Sequence, residues 1–199
     1  MDLELLTNRL RLRPLRLDDL DLSIEMFTNP EVVRYVGDLQ TAETIREEMP
    51  KYVKRCGRGC IGIWCVTDKE SSEKIGTGAL LPMPIDEDDT DWDLIEGTAI
   101  PDCEIEVGYI LKPSAWGKGY ATEICDRLLS FAFEKTPLEA VVACIDENND
   151  KSRNVLHKCG FLEEGRRRAY GEYPPCFRIT QEQWESENLI RKNIRNLYK

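Results

Sequence analysis

Between Cys103 and Ile145 the chain passes through two hydrophobic periodicities in a fixed order. Cys103 to Leu111 reads CEIEVGYIL, a strand pattern, and Pro113 to Gly119 is a glycine-bearing loop. Helical spacing follows from Tyr120 to Glu134, and Ala140 to Ile145 reads AVVACI, the continuous apolar run of a fully buried strand. A strand, a crossover helix and a second strand make a βαβ unit, so these two strands are expected to be parallel and central in the sheet.

The flanking segments supply the rest of an α/β architecture. Leu6 to Pro14 alternates Leu10 and Leu12 with Arg9, Arg11 and Arg13, a half-buried strand ended by proline. Two helices are expected after it: one opened by Asp18 and Asp19 and stopped by Pro30, the other capped by Thr41 and running to about Lys54. Cys60–Thr67 and Ile75–Leu81 read as a hairpin joined by DKESSEK. A short helix is expected from Ser152 to Cys159, stopped by Gly160, then strands at Phe161–Arg167 and Cys176–Thr180 and a terminal helix from Gln181 to Tyr198. At 199 residues, against about 150 per domain, this reads as one domain spanning 1–199.

Composition narrows the function classes. With 41% hydrophobic and 32% charged residues the chain is an ordinary globular one, and no apolar stretch approaches the roughly 18 residues of a membrane span. Lys plus Arg total 27 against 37 Asp plus Glu, a net charge of -10, the opposite of a protein that grips nucleic acid by counterion release. The basic run Arg191, Lys192, Arg195 and Lys199 is too short to change that. No signal-peptide core precedes the first strand, so the eight cysteines are expected to be reduced thiols in a cytoplasm.

Metal and triad chemistry are poorly provided for. Cys56, Cys60 and Cys65 lack CxxC spacing and read as small core residues. His157 is the only histidine, expected on a helix surface, and there is no GxSxG elbow. The loop Pro82–Asp102 carries DEDDTDWD, which lacks the glycine of a calcium loop and reads as a solvated charged loop.

The segment WGKGYAT is different. At a helix start it presents free amides, a positive helix end and glycines that let a ligand approach, a candidate phosphate cradle, although glycine also serves any strand-to-helix turn. It lacks the GK[ST] ending of a Walker loop. Thr122 at the third glycine position, and Lys112 to Trp116 between strand and Gly117, make it a poor dinucleotide fingerprint.

Strand EVGYIL, loop WGKGYATE, strand AVVACI and the array Asn149-x-x-Ser152-x-x-Val155-Leu156-x-Lys158-x-Gly160-Phe161 together resemble the GNAT acetyltransferases, specifically the RimJ/RimL ribosomal-protein type. The opening LTNRLRLRPL and the late RITQEQWE resemble that branch too, so the likeness runs from Leu6 to about Glu185. It implies a central, mostly antiparallel twisted sheet flanked by helices, whose fourth and fifth strands splay apart to admit acetyl-CoA as co-substrate, without a metal. It further implies pyrophosphate on the amides of Gly117, Lys118, Gly119, Tyr120, Ala121 and Thr122, the pantetheine arm on the backbone of Ile110, Leu111 and Lys112, and Asn149 bonded to that arm. Lys112 and Lys118 are expected to neutralise phosphate. Ser114 stands where the usual motif begins with Arg or Gln. Leu156 replaces the tyrosine that many members use as acid toward the thiolate, and the likeness assigns that role to Ser152, the other reading of Ser152 being a helix N-cap.

Acetyl transfer to an amine also needs a base. Glu104 and Glu106 share a face of the strand bordering the cleft, and Glu106, before the family's GY pair, is preferred, with loop orientation as its alternative role and water as the alternative base. The expected function is acetyl transfer to a primary amine, a protein N-terminus or a small molecule; a cationic acceptor steered by the acidic residues Asp86, Glu87, Asp88, Asp89, Asp91 and Asp93, with Trp92 as a cation-binding face, is the alternative to the solvated-loop reading of that segment. A non-catalytic acyl-CoA-binding module is the alternative and a nicotinamide-dependent oxidoreductase a third reading. A monomer or homodimer, without nucleic acid or membrane partners, is expected.

Overall fold

The computed structural model describes residues 2–56, 60–97 and 99–197. Its centre is one eight-stranded sheet of Leu5–Leu6 (β1), Leu10–Pro14 (β2), Gly62–Asp68 (β3), Lys74–Pro82 (β4), Ile105–Leu111 (β5), Ala140–Cys144 (β6), Leu162–Arg166 (β7) and Pro175–Thr180 (β8). The order is β1-β2-β3-β4-β5-β6-β8-β7, and every neighbouring pair is antiparallel except β5 and β6, the parallel central pair expected of the βαβ unit. The mixed, mostly antiparallel α/β fold expected from the sequence is the one observed.

The first strand is not continuous. Thr7 turns the chain, its amide donating to the Leu10 carbonyl at 3.0 Å and its hydroxyl accepting from the Leu10 amide at 2.8 Å, so Leu5 folds back opposite Leu12. The alternation in β2 holds, with Leu10 and Leu12 fully buried. Three helices follow where two were expected: Leu20–Phe27 (α1), Pro30–Val33 (α2) and Ala42–Tyr52 (α3). Pro30 opens a short helix as well as excluding α1, because its missing N–H is no loss at the first helical position and Asn29 caps the Glu31 amide at 3.0 Å. Thr41 caps α3 as expected, accepting from the Thr44 amide at 3.1 Å.

Helix Tyr120–Lys135 (α4) lies on the sheet. Ile124, Cys125, Leu128, Leu129 and Ala132 recur at helical spacing and are fully buried, and Phe131 meets Trp64 edge-on at 5.5 Å. Asp150–Lys158 (α5) follows β6, and Gln181–Leu197 (α6) closes the described chain, with Tyr198 of the expected terminal helix outside the described residues. Of the basic run, Lys199 also lies outside them, and only the backbone of Arg191, Lys192 and Arg195 is described. No described helix is long and apolar enough to cross a membrane.

Two polar features of the core escaped the sequence reading. Cys144 and Cys176 are cross-strand partners on β6 and β8 with Cα atoms 4.4 Å apart, and a disulfide joins them. Close antiparallel pairing brings the two sulfurs within reach, so the expectation of reduced thiols fails for this pair. Cys56, Cys60 and Cys65 are buried as expected, and His157 is exposed at the edge of Phe177.

Asp19 is fully buried and accepts from Arg13 at 2.6 and 2.7 Å, from the Arg16 amide at 3.0 Å and from Lys74 at 3.2 Å. Burial pushes its carboxyl up, but Arg13, the Arg16 amide and Lys74 outweigh that and hold it below the usual range. Asp19→Asn is therefore expected to destabilise the fold by about 3 kcal/mol near neutral pH, because it strands buried charge. The contribution of a depressed carboxylate is complete above its unfolded value of about 4 and lost as pH falls through the folded one, so urea melts should show the variant and wild type converging in acid.

Candidate active site

β5 and β6 pair at one register position, Glu106 opposite Val142. Past it the Glu106 side chain reaches across, accepting from the Cys144 amide at 2.8 Å, and so closes the base of the opening with a carboxylate where a sheet would use a carbonyl. The opened pair matches the resemblance, shifted by one in the count because β1 is a separate strand.

α4 starts beside this opening. Gly117 and Gly119 hold φ of 72° and 79°, the left-handed region that favours glycine. A Cβ at Gly117 would meet nothing within 4 Å, and one at Gly119 only the Arg9 guanidinium at 3.6 Å, so both face open space. Gly119 is the N-cap and has no side chain to cap with, leaving the first-turn amides of Tyr120, Ala121 and Thr122 without partners inside the helix. An anion-shaped cradle at the positive end of a 16-residue helix is what a pyrophosphate requires, and the residues present fit one.

The loop is held from outside by residues that the sequence reading did not single out for it. Arg9 donates to the Lys118 carbonyl at 2.9 Å and to Glu123 at 2.7 Å, and its guanidinium lies 4.5 Å from the Tyr120 ring centroid. Glu123 also accepts from the Thr7 hydroxyl at 2.5 Å, and Tyr120 donates to Asp68 at 2.7 Å. Lys118 is exposed at the loop. Lys112 is not: its ammonium is buried between Glu25 at 2.8 Å and Glu73 at 3.2 Å, so the phosphate-neutralising role expected of it is corrected. On the strand itself, Ile110 and Leu111 pair with Thr77 and Gly76 of β4, and Val107 to Leu111 have no strand partner toward β6.

The start of α5 adjoins the same loop, with the Lys151 ammonium 5.1 Å from the centroid of the Trp116 ring. Asn149 is the N-cap of α5, accepting from the Ser152 amide at 3.1 Å, so the capping role weighed for Ser152 belongs to Asn149. The Ser152 hydroxyl instead lies 2.9 Å from the Tyr109 hydroxyl. Burial holds that phenol well above its ordinary pKa, so it stays protonated. α5 carries no tyrosine, and at the position where many family members have one Leu156 is buried in the core.

Alternation along β5 places Tyr109 and Glu106 on opposite faces. Tyr109 packs with the α4 core, whereas Glu106 faces the turn between β7 and β8. There the Tyr170 hydroxyl donates to Glu106. Burial pushes the Glu106 carboxyl up to about 7, against the Tyr170 hydroxyl, the Cys144 amide and the Arg167 charge that favour the ionised form. Glu104 is already committed to Arg167, at 2.6 Å, and to Arg178.

The acidic loop docks on that same turn, the Tyr170 and Gly171 amides donating to the carbonyls of Pro84 and Ile85, each at 3.1 Å. Asp86 pairs with Arg168 at 2.5 Å. Trp92 is buried, 5.4 Å from Tyr52, with its indole N–H on Asp89 at 2.9 Å, which corrects its reading as a cation platform. Among the described residues no group of three or more His, Cys, Asp or Glu is arranged to hold a metal.

Comparison with known proteins agrees with this geometry. Residues 9–162 match the family model described as an acetyltransferase (GNAT) domain. An uncharacterized N-acetyltransferase of Bacillus licheniformis, p20, is 28% identical over 168 residues, covering 83% of this chain and 86% of that protein. YdaF of Bacillus subtilis, provisionally named a ribosomal N-acetyltransferase, is 43% identical over 63 residues, 32% of this chain and 34% of its own. The crystal structure of a spermidine N-acetyltransferase from Vibrio cholerae in complex with CoA and spermine superposes with a TM-score of 0.67 at 20% identity, over 89% of this chain and 99% of that one, a likeness of fold. Since the family model takes in the opened strand pair, the glycine-led helix and the whole of α5, the chain belongs to the GNAT family of acetyl-CoA-dependent N-acetyltransferases.

Proposed function

We propose that this N-acetyltransferase moves the acetyl group directly to a primary amine, with the two substrates meeting across β5. The observation that carries the reading is the division of that strand. Its α4 and α5 side carries the uncapped helix start and the Ser152–Tyr109 hydroxyl pair, and its other side carries a buried carboxylate. Acetyl-CoA supplies an activated thioester and a thiolate leaving group.

Gly117, Lys118, Gly119, Tyr120, Ala121 and Thr122 would hold its pyrophosphate through their amides, and the free edge of β5 at Ile110 and Leu111, with the Asn149 amide group, would hold its arm. Ser152 Oγ, backed by Tyr109, keeps a proton available on that side, and Glu106 accepts one from the amine on the other. The finer reading is a RimJ/RimL-type enzyme with a cationic acceptor. The short, closer match to YdaF supports the type. The exposed acids Glu87, Asp88 and Asp91 of the loop whose start docks on the Tyr170 turn, and a fold neighbour named for spermidine, support the acceptor charge.

Ser152→Ala tests the assignment. Turnover is expected to fall by about 100-fold while acetyl-CoA affinity changes by less than about threefold, because a proton held for a leaving group acts in the transition state. Since Asn149 does the capping, thermal stability should be nearly unchanged. A mass-spectrometric panel of basic peptide N-termini and polyamines with acetyl-CoA provides the substrate. Wild-type turnover in the variant would remove Ser152 from the chemistry, and no acetylated product from any amine would favour a binding module.

A further inference from the structure

Tyr170 is one of two non-glycine residues among those described that hold a left-handed φ, 55°, the other being Ser72 in the β3–β4 turn. For a tyrosine this conformation costs about 1 kcal/mol or more, and it persists only where the surroundings over-determine it. They do. Ala169 and Glu172 exchange backbone bonds of 3.1 and 2.9 Å that close the turn, and Ala169 is fully buried. From the far side, the Pro84 and Ile85 carbonyls accept the Tyr170 and Gly171 amides, and Asp86 pairs with Arg168. A turn clamped from both faces delivers one phenol to a buried carboxylate on another strand, 64 residues away in sequence.

We propose that Tyr170 is a positioning residue for the acceptor half of the reaction: its hydroxyl holds Glu106 Oε2 while the Cys144 amide holds Oε1, fixing the carboxylate and favouring its ionised form. The proposal rests on Glu106 being the base.

Among the described residues, Glu106 is faced from several elements. The β6 side offers the Cys144 amide, and Cys144 itself is in a disulfide and does not titrate. Met83 and Val142 contribute apolar surface beside Tyr170. Arg167, before the turn, is a nearby cation already paired with Glu104, which precedes β5, and Tyr109, on the opposite face of β5, feels the Glu106 charge through the strand. Asp89 of the acidic loop acts on the Tyr170 phenol, which burial and the Glu106 charge keep protonated. Of the two direct donors only Tyr170 is a side chain, so it can be removed without touching the backbone.

Tyr170→Phe keeps ring and turn and deletes that donor. Losing a hydrogen bond to the charged form should raise the Glu106 titration by about one pH unit. Two readouts in the full-length protein follow it: the acid limb of kcat/KM for an amine acceptor, and infrared titration of the Glu106 carboxyl, assigned as the band missing in Glu106→Gln. Upward movement of both by a similar amount is expected, with the thermal midpoint of the variant a few degrees below wild type at pH 8 and the difference shrinking toward pH 5, where the carboxyl is protonated in both. An infrared titration unmoved in Tyr170→Phe overturns the proposal. An infrared shift with an acid limb that stays in place also overturns the positioning role, and an acid limb still present in Glu106→Gln locates the failure in the base assignment.

Discussion

In a Gly119→Asp variant the affinity for acetyl-CoA is expected to fall by about 100-fold. A Cβ at this position meets only the Arg9 guanidinium, at 3.6 Å, so a side chain can be started there without a clash. Its cost to folding is the left-handed φ of 79°, on the order of 1 to 2 kcal/mol. Its cost to binding is larger. The carboxylate sits at the helix start, takes up the first-turn amides itself and repels the pyrophosphate that they would bind. Gly119→Ala carries the same backbone strain without charge and should lose about tenfold less affinity, which separates geometry from electrostatics. Calorimetric titration gives both numbers, and the thermal stabilisation by acetyl-CoA, which follows from mass action, should vanish in the Asp variant at concentrations that saturate wild type. Ordinary affinity in Gly119→Asp would show that the cradle lies elsewhere.

Features set by local chain chemistry were legible in the sequence, and those set by distant partners were not. The βαβ unit could be read because the change from alternating to helical spacing between Cys103 and Leu129 is a property of neighbours in the chain. The glycine loop was equally readable, since a strand-to-helix turn needing positive φ at Gly117 and Gly119 leaves little alternative to glycine. Asn149 and Ser152 are both good capping residues, and only the hydrogen bonds assign the cap to Asn149 and the outward hydroxyl to Ser152. Lys112 is near the cradle in sequence, but its charge is fixed by Glu25 and Glu73 on other elements. The Cys144–Cys176 bond depends on the register of β6 against β8, and the Tyr170 contact on how a turn folds over β5. Tyr170 did leave one signal, the Tyr-Gly step inside a turn, which marks a place where the backbone reverses without saying where the phenol goes.

Glu106→Gln should lower turnover by roughly 100- to 1,000-fold at pH 8, within the range that a positioned base contributes. A base works deprotonated, so with its carboxyl pushed up to about 7 by burial, wild-type kcat/KM should fall as pH drops through that value, and the variant should lack this limb. Stability should move the other way. A carboxyl whose folded pKa lies above its unfolded value of about 4.3 binds more protons in the native state between the two, so wild type loses stability as pH rises through that window. Glutamine does not ionise and retains an acceptor for the Cys144 amide, so the variant is expected to match wild type near pH 4 and to become the more stable of the two by pH 8. Denaturant melts across that range read the effect without any substrate. A variant that is both slower and more stable at pH 8 identifies Glu106 as a charge held in the core for chemistry. A variant that is less stable with unchanged turnover makes it a strut across the opening between β5 and β6, with solvent left to take the proton.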